Sequence, residues 1–167
     1  MATWSGIKKK LECDYLADSL KGRISYFATS YSYASDHVGR AAIKLDGVEI
    51  VKSDYYKLQQ FQWESYQEIK DTSNGADISD VWKESWREAV NKGGFDNQMF
   101  YSAFEEYDNQ SIESSLKSNN ALVRIFAIMD RRVGKRRLKD LVEAWENEQN
   151  WIKFFLHLRL EAEGVHV

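Results

Sequence analysis

The stretch RAAIKLDGVEIVK, residues 40–52, decides the fold prediction. Every second residue from Ala41 to Leu45 is apolar, which is the pattern of a β-strand with one buried face. Asp46 and Gly47 follow, and this dipeptide predicts a type I′ turn because both central residues of that turn need a positive φ. Residues 48–52 therefore return as a second strand, antiparallel to the first.

The residues before this hairpin predict one more strand and a helix. Residues 23–33 are rich in Tyr, Phe, Ser and Thr, and residues 35–39 supply a turn that joins them to the hairpin. We expect Cys13, near the start of the chain, to be a small buried residue and not a nucleophile. Residues 4–16 predict a helix, because apolar side chains recur there at helical spacing: Trp4, Ile7, Leu11 and Tyr15. The first third is thus a helix followed by a three-stranded antiparallel meander.

The residues after the hairpin predict mainly helices. Residues 55–63 fit either a helix or a fourth strand, and we expect a short strand or irregular entry that becomes helical at 64–70. Beyond a loop at 71–77, apolar residues recur at helical spacing, and the candidate N-caps are Asp77 or Ser79, Asp96 and Ser111. The prediction is an α+β fold in a single domain, residues 1–167. It comprises an N-terminal helix, a small antiparallel β-meander and a C-terminal bundle of about five short helices.

Composition narrows the class of protein. With 167 residues, of which 43% are hydrophobic and 14% aromatic, the chain can bury a sizeable core without disulfides. Its single cysteine excludes an internal disulfide and fits a reducing compartment. No signal-peptide pattern and no run of 18 apolar residues occurs, so we expect a cytoplasmic protein without a membrane segment. The net charge of −3 argues against a general nucleic-acid-binding protein.

The sequence contains no pattern that predicts catalysis, a metal site or a cofactor. Its histidines, His37, His157 and His166, have no Cys, Asp or Glu partner at metal-ligand spacing. The glycine-rich phosphate and dinucleotide motifs and the serine nucleophile motif are absent. Neighbouring carboxylates fall on polar helix faces, whereas acid–base pairs need burial and convergence. We therefore expect neither an enzyme nor a bound cofactor or metal ion.

A basic run lies between two of the last predicted helices. Five of the seven residues 131–137 are cationic, and residues 131–139 could bind nucleic-acid phosphates. A structural role is favoured, because basic residues are common at helix C-termini and because Val133 and Leu138 would face the core. The motif comprises Asp130, Arg131, Arg132, Gly134, Lys135, Arg136 and Arg137.

The middle of the chain is acidic and rich in aromatic residues. Residues 53–110 contain twelve acidic and five basic side chains, a net charge of −7, whereas the segments on either side are each +2. The simpler interpretation is a solvated helix surface around an aromatic core. The alternative is a docking face for a basic protein partner, in which charge speeds encounter and aromatic residues act as anchors. For that face we predict Trp63, Trp82, Glu84, Glu88, Tyr101, Glu105, Glu106 and Asp108.

Several blocks of the sequence resemble a known family. They are WSGIKKKLE, LADSLKGRISY and YSYASDHVGRAAIKLDGVEI in residues 1–52, and SIESSLKSNNALVRIFAIMDRRVGKRRL and FFLHLRL in residues 111–167. Together they resemble a family of small, poorly characterised bacterial proteins that includes the YxxD immunity protein of LXG-type polymorphic toxin systems. Residues 53–110 match no pattern of that family.

The resemblance implies a cytoplasmic, non-enzymatic antitoxin that binds the C-terminal toxic domain of a cognate toxin and neutralises it. It implies no catalytic residues. A variable middle would suit such a protein, because specificity for diverging toxins has to lie on a changeable surface. The expected partner is therefore a protein, not nucleic acid or a membrane, and a monomer is favoured.

Overall fold

The computed structural model describes residues 2–167 and has the predicted α+β fold. Helix α1 (Trp4–Lys9) continues into a π-helical turn (Lys10–Asp14), and a 3-10 turn (Asp18–Leu20) leads into the sheet. The strands are β1 (Ile24–Ser30), β2 (Gly39–Leu45) and β3 (Val48–Asp54). Seven helices follow where the sequence predicted about five: α2 (Tyr55–Thr72), α3 (Ile78–Asn91), α4 (Asn97–Asp108), α5 (Ile112–Leu116), α6 (Ala121–Met129), α7 (Lys135–Ala144) and α8 (Asn150–Ala162).

The sheet is the predicted antiparallel meander, in the order β1-β2-β3. Asp46 and Gly47 form the turn between β2 and β3 with φ values of 50° and 84°, as the type I′ prediction requires. One face of the first two strands is buried and packs against α4. Its buried side chains are Ile24, Tyr26, Ala28, Ala41 and Ile43.

The strand or irregular entry predicted at residues 55–63 is wrong, because α2 is one continuous helix. Asp54 starts it: its carboxylate accepts a backbone N–H of the first turn at 2.9 Å, which is the N-cap bond of a helix. The alternation of Phe61 and Trp63 suggested a strand, but Trp63 is exposed and is not part of the buried face of the helix. The residues that are buried recur at helical spacing: Leu58, Gln62 and Ser65.

Helices α2 and α3 form a helical hairpin and pack mainly on each other. Asp77 caps α3 by accepting the backbone N–H of Ser79 at 2.7 Å, so Asp77 and not Ser79 is the cap. Inside the hairpin, Gln62 Nε2 donates to Ser85 Oγ at 2.9 Å. This buried pair joins the two helices without using their aromatic side chains, which leaves those side chains available at the surface.

Helix α6 forms the centre of the core, because all nine of its residues are buried. It packs against α4, α5 and α8. The ring of Phe126 lies 5.2 Å from that of Phe100 and 5.8 Å from those of Tyr26 and Tyr107, measured between ring centres. Aromatic contacts at these distances add to the stabilisation from burial. The sheet, α4 and α6 are therefore held together by one aromatic cluster.

Cys13 is exposed, which corrects the expectation that it is buried. It lies in the π-helical turn, two residues after the buried Leu11. Two residues correspond to roughly half of such a turn, so Cys13 points away from the core.

Candidate functional site

The predicted partner residues Trp63 and Trp82 lie together on the α2–α3 hairpin. They belong to a row of four rings, which we call the aromatic face: Trp63, Tyr66, Trp82 and Trp86. Successive ring centres are 5.8, 5.6 and 6.0 Å apart. Trp63 is 57% exposed and Trp82 44% exposed. The row is therefore connected, and its two tryptophans are open to solvent.

Exposed hydrophobic side chains are concentrated on this hairpin. Eight large hydrophobic side chains are exposed in residues 2–167, and four of them lie on α2 or α3: Tyr56, Trp63, Ile78 and Trp82. Scattered single residues of this kind are normal, whereas a contiguous patch marks an interaction surface. The aromatic face is such a patch.

Carboxylates are frequent on the α2–α3 hairpin that carries the aromatic face. Residues 55–91 carry seven acidic and four basic side chains. Glu84 is ion-paired with Arg87 at 2.5 Å, and Glu88 accepts a long hydrogen bond of 3.4 Å from the Asn91 amide. Both pairs lie near the surface, so these carboxylates can exchange partners at little cost.

Tyr101, Glu105 and Asp108 lie on a different surface. They occupy one side of α4, where it faces α1 across a groove of about 750 Å³. The Trp4 and Tyr101 rings stand 6.0 Å apart in this α1–α4 groove. The predicted set is therefore divided, because the helical period directs these three side chains away from the α2–α3 hairpin.

Asp108 is engaged inside the molecule. Its carboxylate accepts hydrogen bonds of 2.6 Å from both Lys10 Nζ and the Tyr15 hydroxyl. Partial burial opposes ionisation of Asp108, but the bonds from Lys10 and Tyr15 outweigh it and lower the pKa of the carboxyl. The hydrogen bond to Asp108 in turn raises the pKa of Lys10. Asp108 thus ties the π-helical turn and Tyr15, which follows it, to α4.

These bonds predict a contribution to stability that is lost in acid. The unfolded pKa of such a carboxyl is about 4. A carboxyl whose pKa is lower in the folded protein stabilises the fold above that value, and this stabilisation is lost as the pH falls through the folded pKa. The difference in unfolding free energy between the wild type and Asp108→Asn should therefore be largest at neutral pH and shrink below about pH 4. Urea unfolding of both proteins across this range measures it. A difference independent of pH would contradict the assignment.

Glu106 lies on yet another side of α4. Its carboxylate accepts hydrogen bonds from Ser118 and Gln110, and it lines a shallow hollow that also contains Trp86 and Arg87. Glu106 is thus near one end of the aromatic face, whereas Glu105, its neighbour in sequence, is in the α1–α4 groove.

The family motif begins with a buried carboxylate. Asp130 is 1% exposed and accepts hydrogen bonds from the Tyr107 hydroxyl, from the Arg132 backbone N–H and from the Arg132 guanidinium. The same guanidinium lies 5.2 Å from the centre of the Tyr15 ring. Hydrogen bonding to Asp130 raises the pKa of Arg132, and burial raises the pKa of Tyr107. Asp130 and Arg132 therefore fix the end of α6 against α4 and the N-terminal segment.

Arg159 completes the network around Asp130, although it was not among the residues predicted from the sequence. It is 3% exposed and donates to three backbone carbonyls, those of Ile128 (3.0 Å), Asp130 (2.9 Å) and Val133 (3.1 Å). Its Nε also pairs with Glu163 at 2.9 Å. The signal for it was present, because a lone arginine inside the apolar run FFLHLRL needs buried partners.

The rest of the basic run begins a helix, so the explanation of its positive charge by a helix C-terminus does not apply to it. Helix α6 stops at Met129, and Lys135, Arg136 and Arg137 form the first turn of α7, which Gly134 precedes. Positive charge is unfavourable at that end of a helix. Arg137 is ion-paired with Glu113, whereas the described chain provides no ion-pair partner for the other exposed cations: Arg131, Lys135, Arg136 and Lys139.

A family model matches residues 3–160 of the chain. The chain belongs to the SF0329 protein family. The matched span includes the acidic middle as well as both ends, so residues 53–110 are part of the family's architecture, although the resemblance found from the sequence did not include them. No curated protein and no solved structure matches the chain.

Neither a cluster of metal ligands nor a membrane-spanning helix is found among the described residues. Within residues 2–167, no three His, Cys, Asp or Glu side chains come together in a way that could hold a metal ion. None of the helices in this range combines the length and apolar character that a membrane crossing requires. The surface features described above are the aromatic face, the α1–α4 groove and the exposed part of the basic run.

Proposed function

We propose that this protein is a non-enzymatic immunity protein that binds the C-terminal toxic domain of a cognate LXG-type toxin and neutralises it by covering its surface. The observation that carries the proposal is the aromatic face, with Trp63 and Trp82 exposed on a helical hairpin. The resemblance to the YxxD immunity protein supplies the kind of partner. Neutralisation by occlusion needs no catalytic group on this chain.

The chemistry of the aromatic face suits a protein partner. Trp and Tyr dominate the residues that carry binding energy at interfaces, because they bury a large area at little cost in side-chain entropy. The acidic residues of the same hairpin, Glu84 and Glu88 among them, would attract a basic partner and speed its encounter. The aromatic face therefore combines anchors with steering charge, and we place the principal contact there.

A second candidate function is nucleic-acid binding through residues 131–139. The observation in its favour is that Arg131, Lys135, Arg136 and Lys139 are exposed and that residues 2–167 provide no ion-pair partner for them. Phosphate contacts of this kind would be strongly dependent on salt. The net charge of −3 weighs against it, and so does the position of the cluster beside the structural pair Asp130–Arg132.

Coexpression distinguishes the two functions. We expect the chain to restore growth to cells that produce the C-terminal domain of the protein encoded immediately upstream, and to elute with that domain in size-exclusion chromatography. The variant Arg131→Gln/Lys135→Gln/Arg136→Gln should protect as well as the wild type, because it leaves the aromatic face intact. Failure of the wild type both to protect and to bind would refute the immunity proposal. Loss of protection in the triple variant alone would place the toxin contact on the basic run and not on the aromatic face.

A further inference from the structure

The α1–α4 groove has the dimensions of a short peptide site. Asn97, Tyr101, Glu105 and Asp108 recur every three or four residues, so they form one line along α4 that is about 16 Å long. Trp4 and Ile7 of α1 form the opposite wall. An extended chain rises about 3.3 Å per residue, so roughly five residues would fill this length.

One end of the groove holds a hydrogen-bond acceptor without a donor. Asn97 is 3% exposed, and its Nδ2 donates to the His37 carbonyl at 3.1 Å. That bond fixes the orientation of the amide: the His37 carbonyl oxygen needs an N–H donor, so Nδ2 and not Oδ1 of Asn97 must face it. The Oδ1 atom is buried and has no donor within the described chain. Buried acceptors are normally paired, so a small movement of the Asn97 side chain toward the groove would let an N–H group of a ligand satisfy this atom.

The other end of the groove carries an unpaired negative charge. Within residues 2–167, no side chain forms a hydrogen bond or ion pair with the Glu105 carboxylate, whereas the Asp108 carboxylate is held by Lys10 and Tyr15. The rings of Trp4 and Tyr101 lie between the two ends. Such rings can hold the aliphatic stem of a lysine or arginine while its charged group reaches a carboxylate.

We propose that the α1–α4 groove binds an extended, basic peptide segment of a partner protein. A main-chain N–H of the segment donates to Asn97 Oδ1. A Lys or Arg side chain of the segment lies along Tyr101 and pairs with Glu105. The groove uses none of the four rings of the aromatic face, so this site does not depend on the toxin being the partner.

Selection from a library of phage-displayed linear heptapeptides tests the proposal. We expect the peptides enriched on the wild-type protein to share a Lys or Arg. A synthetic copy of the most enriched peptide should bind Glu105→Gln at least about tenfold more weakly by calorimetry, since a charge-assisted pair is lost. It should bind Trp63→Ala, which alters the aromatic face, as tightly as the wild type. Methylation of one main-chain nitrogen of the peptide should abolish binding, because it removes the donor to Asn97.

Four results would overturn the proposal. The first three are no enrichment above background, enriched peptides without a basic residue, and equal affinity for the wild type and Glu105→Gln. A fourth is binding of arginine amide as tight as that of the peptide, which would indicate a site for small cations. Because Glu105 is exposed, Glu105→Gln should fold normally, and its melting temperature checks this. Coexpression with the toxin domain can succeed or fail independently of each of these results.

Discussion

Replacing Arg159 with Met should lower the free energy of unfolding by about 3–5 kcal/mol, which is the usual cost of removing one partner of a buried ion pair. The guanidinium is almost completely buried and serves four acceptors, three of them backbone carbonyls. Met fills a similar volume but donates no hydrogen bond, so the carbonyls between the end of α6 and the start of α7 lose their donor. Urea unfolding followed by circular dichroism measures the effect.

Two further variants show whether the guanidinium itself is responsible. Arg159→Lys should recover little of the loss, because one ammonium group cannot reach acceptors that the planar fork of arginine spans. Arg136→Ala removes an exposed arginine of the basic run and should stay within about 0.5 kcal/mol of the wild type. An Arg159→Met protein within about 1 kcal/mol of the wild type would show that the buried network is dispensable.

The parts of the fold that were predictable depend on local chemistry. The Asp46-Gly47 turn needs only two residues with positive φ, and both adopt it. Asp96 and Ser111 each accept a backbone N–H three residues ahead, at 2.8 and 3.1 Å. Such bonds link near neighbours, so the sequence contains all the information they require.

The predictions that were wrong concern local structure that depends on contacts between residues distant in the sequence. Residues 55–63 are helical and Gln62 pairs there with Ser85 of α3, a packing partner that the sequence alone does not reveal. The residues of the basic run were treated alike in the sequence, yet Arg132 forms an ion pair with the buried Asp130 while Arg136 is exposed to solvent. Asp130 lies 23 residues from Tyr107 and 29 from Arg159, so its network exists only in the folded chain.

The predicted site was divided for the same reason. The sequence grouped eight residues by charge and aromatic character, but the folded helices send them to different surfaces. Trp63 and Trp82 meet across the α2–α3 hairpin, because their helices pack together. Tyr101 and Glu105 face α1 instead. The composition of residues 53–110 correctly indicated an acidic, aromatic segment, but the packing of its helices distributes the predicted residues over separate surfaces.

Truncation of the aromatic face should have the largest effect on partner binding. For the double variant Trp63→Ala/Trp82→Ala, we expect the dissociation constant for the toxin domain to rise roughly thirtyfold or more, equivalent to about 2 kcal/mol. The increase should come mainly from faster dissociation, since anchors stabilise the formed complex. Both side chains are about half exposed, so the melting temperature should change little. Surface plasmon resonance separates the two rate constants.

Phe154→Ala is the matched control for this variant. Phe154 is 44% exposed, the same fraction as Trp82, but it lies on α8, outside the aromatic face. We expect its loss to leave the affinity unchanged. If Phe154→Ala weakened binding as much as the tryptophan variant, the contact would not be specific to the α2–α3 hairpin.

Charge reversal on the α2–α3 hairpin should act mainly on the association rate constant for the toxin domain. Glu84→Lys and Glu88→Lys should slow association more than they speed dissociation, and the difference should narrow at high salt, because exposed charges mainly steer encounter. Asp108→Lys is unsuitable as a probe, since it would also break the bonds to Lys10 and Tyr15. If association were unchanged in both lysine variants while the tryptophan variant bound normally, the toxin would have to contact another surface. The α1–α4 groove and the exposed cations of residues 131–139 would then be the remaining candidates.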